Sequence, residues 1–431
     1  MKLALIGGAG VRVPLLVGGF ARSTLKIDQI DLYDLDQPRL AVIAGLAARM
    51  AHGVPVTART SAEACIDGAD FVITSIRVGG IAQRAQDEAT AIAHGVVGQE
   101  TVGPAGFAMA VRTIPAMVRY GQLAARRAPA AWLVNFSNPV SVVSQAVHQH
   151  SDAKIIGICD TPTETYEDAA HALGLPPAAC DYDYFGLNHL GWLREVYFQG
   201  EPQMARLWDD DARLEAAYRT PVFEPERLRS MRLLPTEYLY YYYRPEVALA
   251  HLQKAGTSRG QVVSALTDQF FADLAGGAVD PVERYQHYLA ARDASYMQLE
   301  SGSTTPRLKP DWAELSGYDK IALMTISAMA GNTGAVLPLD VPNRGILPFL
   351  EDDDIIETPC VVDAAGPHAR PVAAVPNHAR ALIACVKAYE RATITAALSG
   401  ARQDLVDALA LNPLVHSQPL ATQLVAALFP A

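Results

Sequence analysis

From residue 3 the chain alternates short apolar runs with longer amphipathic stretches. "LALIG" (3–7) is followed by a helical pattern from Pro14, "QIDLYD" (29–34) by "QPRLAVIAGLAARMAHG", and then comes "PVTAR" (55–59). "ADFVITSI" (69–76), helical stretches near 80–94 and 106–126, "AAWLVNF" (130–136) and "KIIGIC" (154–159) continue the alternation. Strands of five or six residues separated by helical patterns predict βαβ units and a parallel sheet. The rhythm holds to about residue 160. Beyond it helical periods dominate, at 225–245, 258–275, 281–299, 316–330, 377–398 and 401–411, with strand-like pieces such as "VVDAAG" and "TGAVLPLDV" between them. The pattern predicts a doubly wound α/β domain over 1–160 and an α+β domain over 161–431. "ESGSTTPRLKPDW" (300–312) reads as a surface loop, and no repeat or low-complexity tract interrupts the chain.

A length of 431 residues suits two intimately packed domains better than one core. Half the residues are apolar and 19% are charged, as in a folded globular chain. A net charge of −11 argues against general nucleic-acid or anionic-membrane binding, while leaving room for a local basic pocket. Every apolar run is cut by charge, Gly or Pro, so no membrane span is expected, and glycines break the signal-like start "MKLALIGGAG". The five cysteines are odd in number and form no CxxC, which favours a reducing cytoplasm.

Candidate chemistry starts in the first turn. "LALIGGAGVRVP" places Gly7, Gly8 and Gly10 directly after the first strand, and Asp34 ends the second. Glycines let backbone approach a pyrophosphate at a helix N-terminus, and an acid ending the next strand takes ribose hydroxyls. This order predicts a Rossmann-type dinucleotide site, although Val13 and Pro14 stand where a third glycine is expected. Asp34 favours NAD over NADP, because a 2′-phosphate would be repelled. In such sheets ligands bind beyond the carboxyl ends of the strands. Cys159 and Asp160 end one of these strands, and His189 follows in "GLNHLGW". A thiolate and an imidazole suit a metal, yet two ligands leave its sphere incomplete. Singly, each also fits an ordinary core position.

Further motifs follow in order: "IRVGGIAQRAQDE" (76–88), "GVVGQETVGPAG" (95–106), "NFSNP" (135–139), "GICDTP" (157–162) and "GLNHLGW" (186–192). "PTEYLYYYY" (235–243), "TSRGQ" (257–261), "LDVPNRG" (339–345) and "ALALNPLV" (408–415) complete the series. Together they resemble glycoside hydrolase family 4, the NAD- and manganese-dependent glycosidases, in its 6-phospho-glucosidase branch. The similarity spans nearly the whole chain, and the ordered series carries it rather than any one motif.

The resemblance implies a fold like lactate and malate dehydrogenases, and a hydrolysis outside the two-carboxylate scheme. In that family NAD⁺ takes hydride from C3 of the sugar, which acidifies the proton on C2. A base removes that proton, the C1 substituent leaves, water adds back and the hydride returns. Cys159 and His189 match the ligands of Mn²⁺ or another divalent metal, Tyr238 the base, and Glu100 the position that raises its basicity. Asn138, Arg84 and Arg259 match substrate contacts, with Arg77 a weaker candidate for the same pocket. Arg259 opens a helical stretch, where a guanidinium beside a helix N-terminus suits a phosphate. Plainer readings stand beside these: core packing for the tyrosine run, turn chemistry for Asn138, an N-cap for Glu100 and solvation for the arginines. Asp160 matches the acid of the α-specific members, whereas "GGAGVRVP", "GICDTP" and the tyrosine run together look like the 6-phospho-β-glucosidases, and the β-anomer is favoured. Ser144 and Gln145 depart from the Thr-Glu that relatives often carry. The resemblance also implies a homodimer or homotetramer acting on a small sugar phosphate.

Two other classes remain in view. An NAD-dependent 2-hydroxy-acid dehydrogenase would need a catalytic His with a neighbouring Asp and would release NADH. A nucleotide-binding regulator would have no use for Cys159, His189, Tyr238 and Arg259 together.

Overall fold

The structure, a computed structural model, describes residues 1–218, 222–277, 280–302 and 317–430. Six strands run parallel: β1 (Lys2–Ile6), β2 (Gln29–Tyr33), β3 (Val56–Ala58), β4 (Phe71–Thr74), β5 (Trp132–Asn135) and β6 (Lys154–Gly157). Their order across the sheet is β3-β2-β1-β4-β5-β6, the arrangement that binds dinucleotides where the order reverses, between β1 and β4. Beyond β6 the sheet turns antiparallel through β7 (Cys180–Leu187), β8 (Leu190–Phe198), β10 (Leu234–Pro235), β11 (Ala335–Pro342) and β12 (Ile355–Asp363). Short strands β9 (Glu201–Pro202) and β13 (Gly366–Ala369) pair at β8 and β12. The two halves thus form one hydrogen-bonded sheet, joined where Asp340 of β11 pairs with Gly157 of β6.

Helices cover both faces of the parallel half, which explains its near-continuous apolar strands. On one side Leu3, Ile30 and Ile73 pack with Phe20, Ile43, Phe270, Tyr285 and Ile321. On the other Ala4, Ile6 and Val72 meet Ile114, Met117 and Val143. Local signals set several helix starts: Asp36 accepts from Arg39 N at 3.0 Å, and Ser258 with Gln261 closes a capping box ahead of helix Arg259–Gly276. Among the described residues no helix is long and apolar enough to cross a membrane.

The helical periods at 258–275, 377–398 and 401–411 appear as helices Arg259–Gly276, Asn377–Ser399 and Arg402–Ala410. The single period expected over 225–245 does not. It breaks into helix Pro225–Met231, strand β10, a 3-10 turn Glu237–Leu239 and the short helix Tyr240–Tyr243. Arg232 at φ +53° ends the first piece, and Pro235 and Pro245 prevent a continuous helix. The stretch 281–299 likewise divides at Met297, φ +56°, into Pro281–Ala294 and Gln298–Ser301. Of the loop expected at 300–312, residues 303–312 lie outside the described residues, and Glu300 is buried rather than on the surface.

Candidate active site

At the carboxyl end of the parallel strands lies a cavity of about 320 Å³, walled by the loops after β1, β4, β5 and β6 and by helices of the C-terminal half. The loop after β1 supplies Ala9 to Arg12. Gly7 and Gly8 shape this turn from behind: both amides donate to Tyr33 O, at 3.0 and 2.9 Å. Gly7 has φ +94°, and a Cβ there would lie 2.2 Å from Ser75 O, so the turn tolerates nothing larger. Gly10 reaches the cavity, where helix Val13–Arg22 begins without a side-chain cap. Asp34 does not line the cavity; its carboxylate accepts from Ala9 N and Asp36 N, each at 3.1 Å, and so braces the glycine turn.

After β5, Asn135 organises the next loop by accepting from Thr74 Oγ1 and Ser137 N and donating to Ser144 Oγ. Asn138 follows, lining the cavity with its Oδ1 buried and without a hydrogen-bond partner. The strand β6 then delivers Cys159 and Asp160 to the same cavity. Burial, with the negative charges of Asp160 and Glu357, pushes the Cys159 thiol well above its ordinary range.

His189 arrives from the far half of the sheet, in the two-residue turn between β7 and β8. Its φ of +60° is uncommon for a residue with a side chain. Nδ1 lies 2.8 Å from Thr101 Oγ1, and that hydroxyl donates to Gln99 Oε1 at 2.9 Å. With the hydroxyl proton committed, Nδ1 is the donor and Nε2 keeps its lone pair, the tautomer a metal ligand requires. Burial lowers the imidazole to about 4 against the pull of Glu100, so the ring is neutral near pH 7. Tyr238 stacks on it with ring centroids 3.7 Å apart and planes 2° from parallel. Burial first, then Glu100 and Cys159, raise the Tyr238 phenol well above its ordinary pKa.

The arginines divide into two groups. Arg77 and Arg84 both pair with Glu100, at 2.6 and 2.7 Å, and Arg84 Nε also meets Glu88 at 2.7 Å. Burial opposes the charge on Glu100, yet Arg84, Arg77 and Arg292 hold its carboxyl far below the usual range. Arg259 opens its helix as expected, but the helix N-terminus is already in use: Gly260 N donates to Glu88 and Gln261 N to Ser258. Arg259 lines the cavity, its guanidinium held by Ser295 Oγ and by Arg292 O at 3.0 Å.

The cavity therefore gathers Gly10, Arg84, Glu100, Asn138, Cys159, Asp160, His189, Tyr238 and Arg259, and leaves Gly7, Gly8 and Asp34 as its scaffold. Sequence reasoning missed Arg12, Arg292 and Glu300, which also line it. Arg12 occupies the irregular part of the glycine turn and was open to notice; Arg292 and Glu300 lie in segments with no motif. Ser144 and Gln145 turn away from the cavity. Ser144 meets Asn135, and Gln145 accepts from the buried Lys387 Nζ at 3.0 Å.

Residues 2–175 match the family described as family 4 glycosyl hydrolase, and residues 184–415 match its C-terminal domain. The chain belongs to family 4 of the glycosyl hydrolases. Among family 4 relatives, the 6-phospho-beta-glucosidase of Escherichia coli is 30% identical over 97% of this chain and 92% of its own. The 6-phospho-alpha-glucosidase of Leptotrichia buccalis is 27% identical over 97% and 95%. A 6-phospho-beta glucosidase from Thermotoga maritima, solved with manganese, NAD⁺ and glucose-6-phosphate, superposes with a TM-score of 0.83 at 25% identity, covering 99% of this chain and 97% of that one. A lactate dehydrogenase from a deep-sea metagenome shares the fold alone, with a TM-score of 0.55 at 14% identity over 91% and 98% of the two chains. The expected relation of this family 4 fold to such dehydrogenases is thereby met.

Proposed function

We propose that this enzyme hydrolyses 6-phospho-glucosides, the β-anomer favoured, using NAD⁺ and Mn²⁺ or another divalent cation. The observation that carries the reading is one cavity in which Cys159, His189, Tyr238, Glu100 and Arg259 meet at the carboxyl ends of a β3-β2-β1-β4-β5-β6 sheet. The residues suit both groups. The glycine turn brings the backbone of Ala9, Gly10 and Val11 to the cavity wall, where no side chain longer than a methyl at the first two keeps a pyrophosphate from approaching the main chain. Val13 N is taken by Gly10 O, and Pro14 has no N–H to offer. Cys159 Sγ and His189 Nε2 offer a soft and a borderline donor, and among the described residues no third His, Cys, Asp or Glu closes the sphere. That openness leaves coordination positions for sugar oxygens.

When bound, NAD⁺ supplies a hydride acceptor for C3, and the cation supplies Lewis acidity at the sugar oxygens. The protein's own groups do the rest. Asn138 Oδ1, buried without a partner, accepts from a sugar hydroxyl. Tyr238 would take the C2 proton as a phenolate, which burial and Glu100 disfavour and which the charge of a bound cation would favour; once ionised, its basicity is increased by Glu100. An aspartate is ordinarily a carboxylate at neutral pH, so Asp160 would act from its protonated form to give a proton to the departing C1 oxygen. The Arg259 guanidinium binds the 6-phosphate. Asp160 also supports a second reading, a 6-phospho-α-glucosidase, because an acid here matches the α-specific members of the family.

The test is an incubation with nitrophenyl 6-phospho-α- and β-glucosides, NAD⁺, Mn²⁺ and a thiol, following nitrophenol and NADH separately. Nitrophenol release that requires both cofactors and accumulates no NADH is expected, faster for the β-substrate. Net NADH with no nitrophenol would identify a dehydrogenase and overturn the reading.

A further inference from the structure

The charges around the cavity do not balance, and the surplus is localised. Arg77 and Arg84 are neutralised by Glu100 and Glu88. Arg259 and Arg292, by contrast, meet no carboxylate at ion-pair distance among the described residues. The acid that acts on Arg259 is Glu300, whose carboxyl is buried and thereby raised above its ordinary range. The two guanidiniums are built as a unit: Arg259 donates to the Arg292 carbonyl, and Ser295 Oγ, which accepts from Arg259, donates to that same carbonyl at 2.8 Å. Arg292 is anchored at 3.1 Å to Tyr288 OH, which in turn meets Thr267 at 3.1 Å. Burial disfavours both charges, and each is further opposed by neighbouring arginines, among them Arg84. Holding two such cations with no carboxylate at ion-pair distance among the described residues is costly unless an anion completes them.

The geometry points to Arg292 as the second guanidinium of the substrate-phosphate site, paired with Arg259 to select a dianionic 6-phosphate over a 6-carboxylate. This deepens the phospho-glucosidase reading and rests on it. A phosphate monoester carries nearly two charges at neutral pH and three acceptor oxygens, enough for two forks; a uronate carries one charge. A single arginine would not separate the two strongly. Two guanidiniums without a direct ion pair favour the dianion more.

Titration calorimetry of the NAD⁺- and Mn²⁺-loaded protein with glucose 6-phosphate and with glucuronate tests this, alongside NAD⁺ binding measured separately. Arg292→Gln should weaken glucose 6-phosphate by at least about tenfold, the loss of one charge-assisted contact, while NAD⁺ affinity stays within about twofold. Glucuronate, weak already, should change far less. Arg292→Lys should recover part of the loss, since a point charge replaces the fork. It carries the test if the Gln variant does not fold. Unchanged glucose 6-phosphate affinity in a folded variant would overturn the inference, as would an equal loss of NAD⁺, which would assign Arg292 to the cofactor. If wild-type protein binds no glucose 6-phosphate at all, the functional reading itself fails; binding that ignores Arg292 sinks only this inference.

Discussion

Thr101 fixes which ring nitrogen of His189 keeps its lone pair, and in the proposed reading that nitrogen binds the cation. Thr101→Val should therefore weaken Mn²⁺ binding on the order of ten- to a hundred-fold, read from the free-Mn²⁺ signal in electron paramagnetic resonance. An unchanged affinity would remove the hydroxyl from the account. Cys159→Ser should lose both Mn²⁺ and activity, whereas Cys65→Ser should keep them. Cys65 is packed against backbone carbonyls of Leu5 and Asp31, away from the cavity lining. A Cys159→Ser protein that still binds Mn²⁺ as tightly as wild type would exclude the thiolate. Asp160→Asn should depress hydrolysis of alkyl glucosides far more than of nitrophenyl ones, whose anion departs unaided; equal losses would assign Asp160 to positioning. Cys159, Asp160 and His189 were legible because each stands in a short motif just past a strand end, whereas Thr101 was not singled out. Arg292 was not, since a helical arginine in "AARDASY" has no local signal, and its role depends on a neighbour 33 positions away in sequence.

Among the elements, helix Arg259–Gly276 carries the arginine proposed to bind the phosphate and is also fastened into the fold. Ser258 caps it, and Gly260 N fastens it to Glu88 of helix Gly80–Ala93 at 2.6 Å. Ser258→Ala should cost about 1 kcal/mol in denaturant unfolding and, by loosening the first turn, raise KM for the phosphorylated substrate more than it lowers kcat. A change in kcat alone would contradict that coupling. The parallel half was readable from its apolar runs, since strands buried on both faces leave an unmistakable pattern. The β7–β8 hairpin was not read, although it carries His189. Its turn is Asn188-His189, with no glycine at the left-handed position, so the usual hairpin signal is missing. A tyrosine-rich, proline-broken stretch likewise imitated one helix over 225–245.

Across the whole molecule, one sheet and one shared apolar core link the halves: Leu3, Ile30 and Leu32 belong to the same cluster as Phe270, Ile321 and Leu337. Thermal unfolding should therefore be a single transition, raised by NAD⁺ and Mn²⁺ together, with about 2.7 kcal/mol gained at a hundredfold excess of ligand over its Kd. Two separate transitions, with only the earlier one moved by NAD⁺, would show that the halves unfold independently. The molecule as a whole carries −11, so the arginines of the cavity provide a local field opposite to the net charge. In the proposed reaction the glycosidic bond breaks after a proton leaves C2. Hydrolysis of a 6-phospho-glucoside in D₂O, followed by NMR of the glucose 6-phosphate released, tests it most directly. Deuterium at C2 in the product is expected, with loss of both label and turnover in Tyr238→Phe. Complete hydrolysis with hydrogen retained at C2 would contradict it.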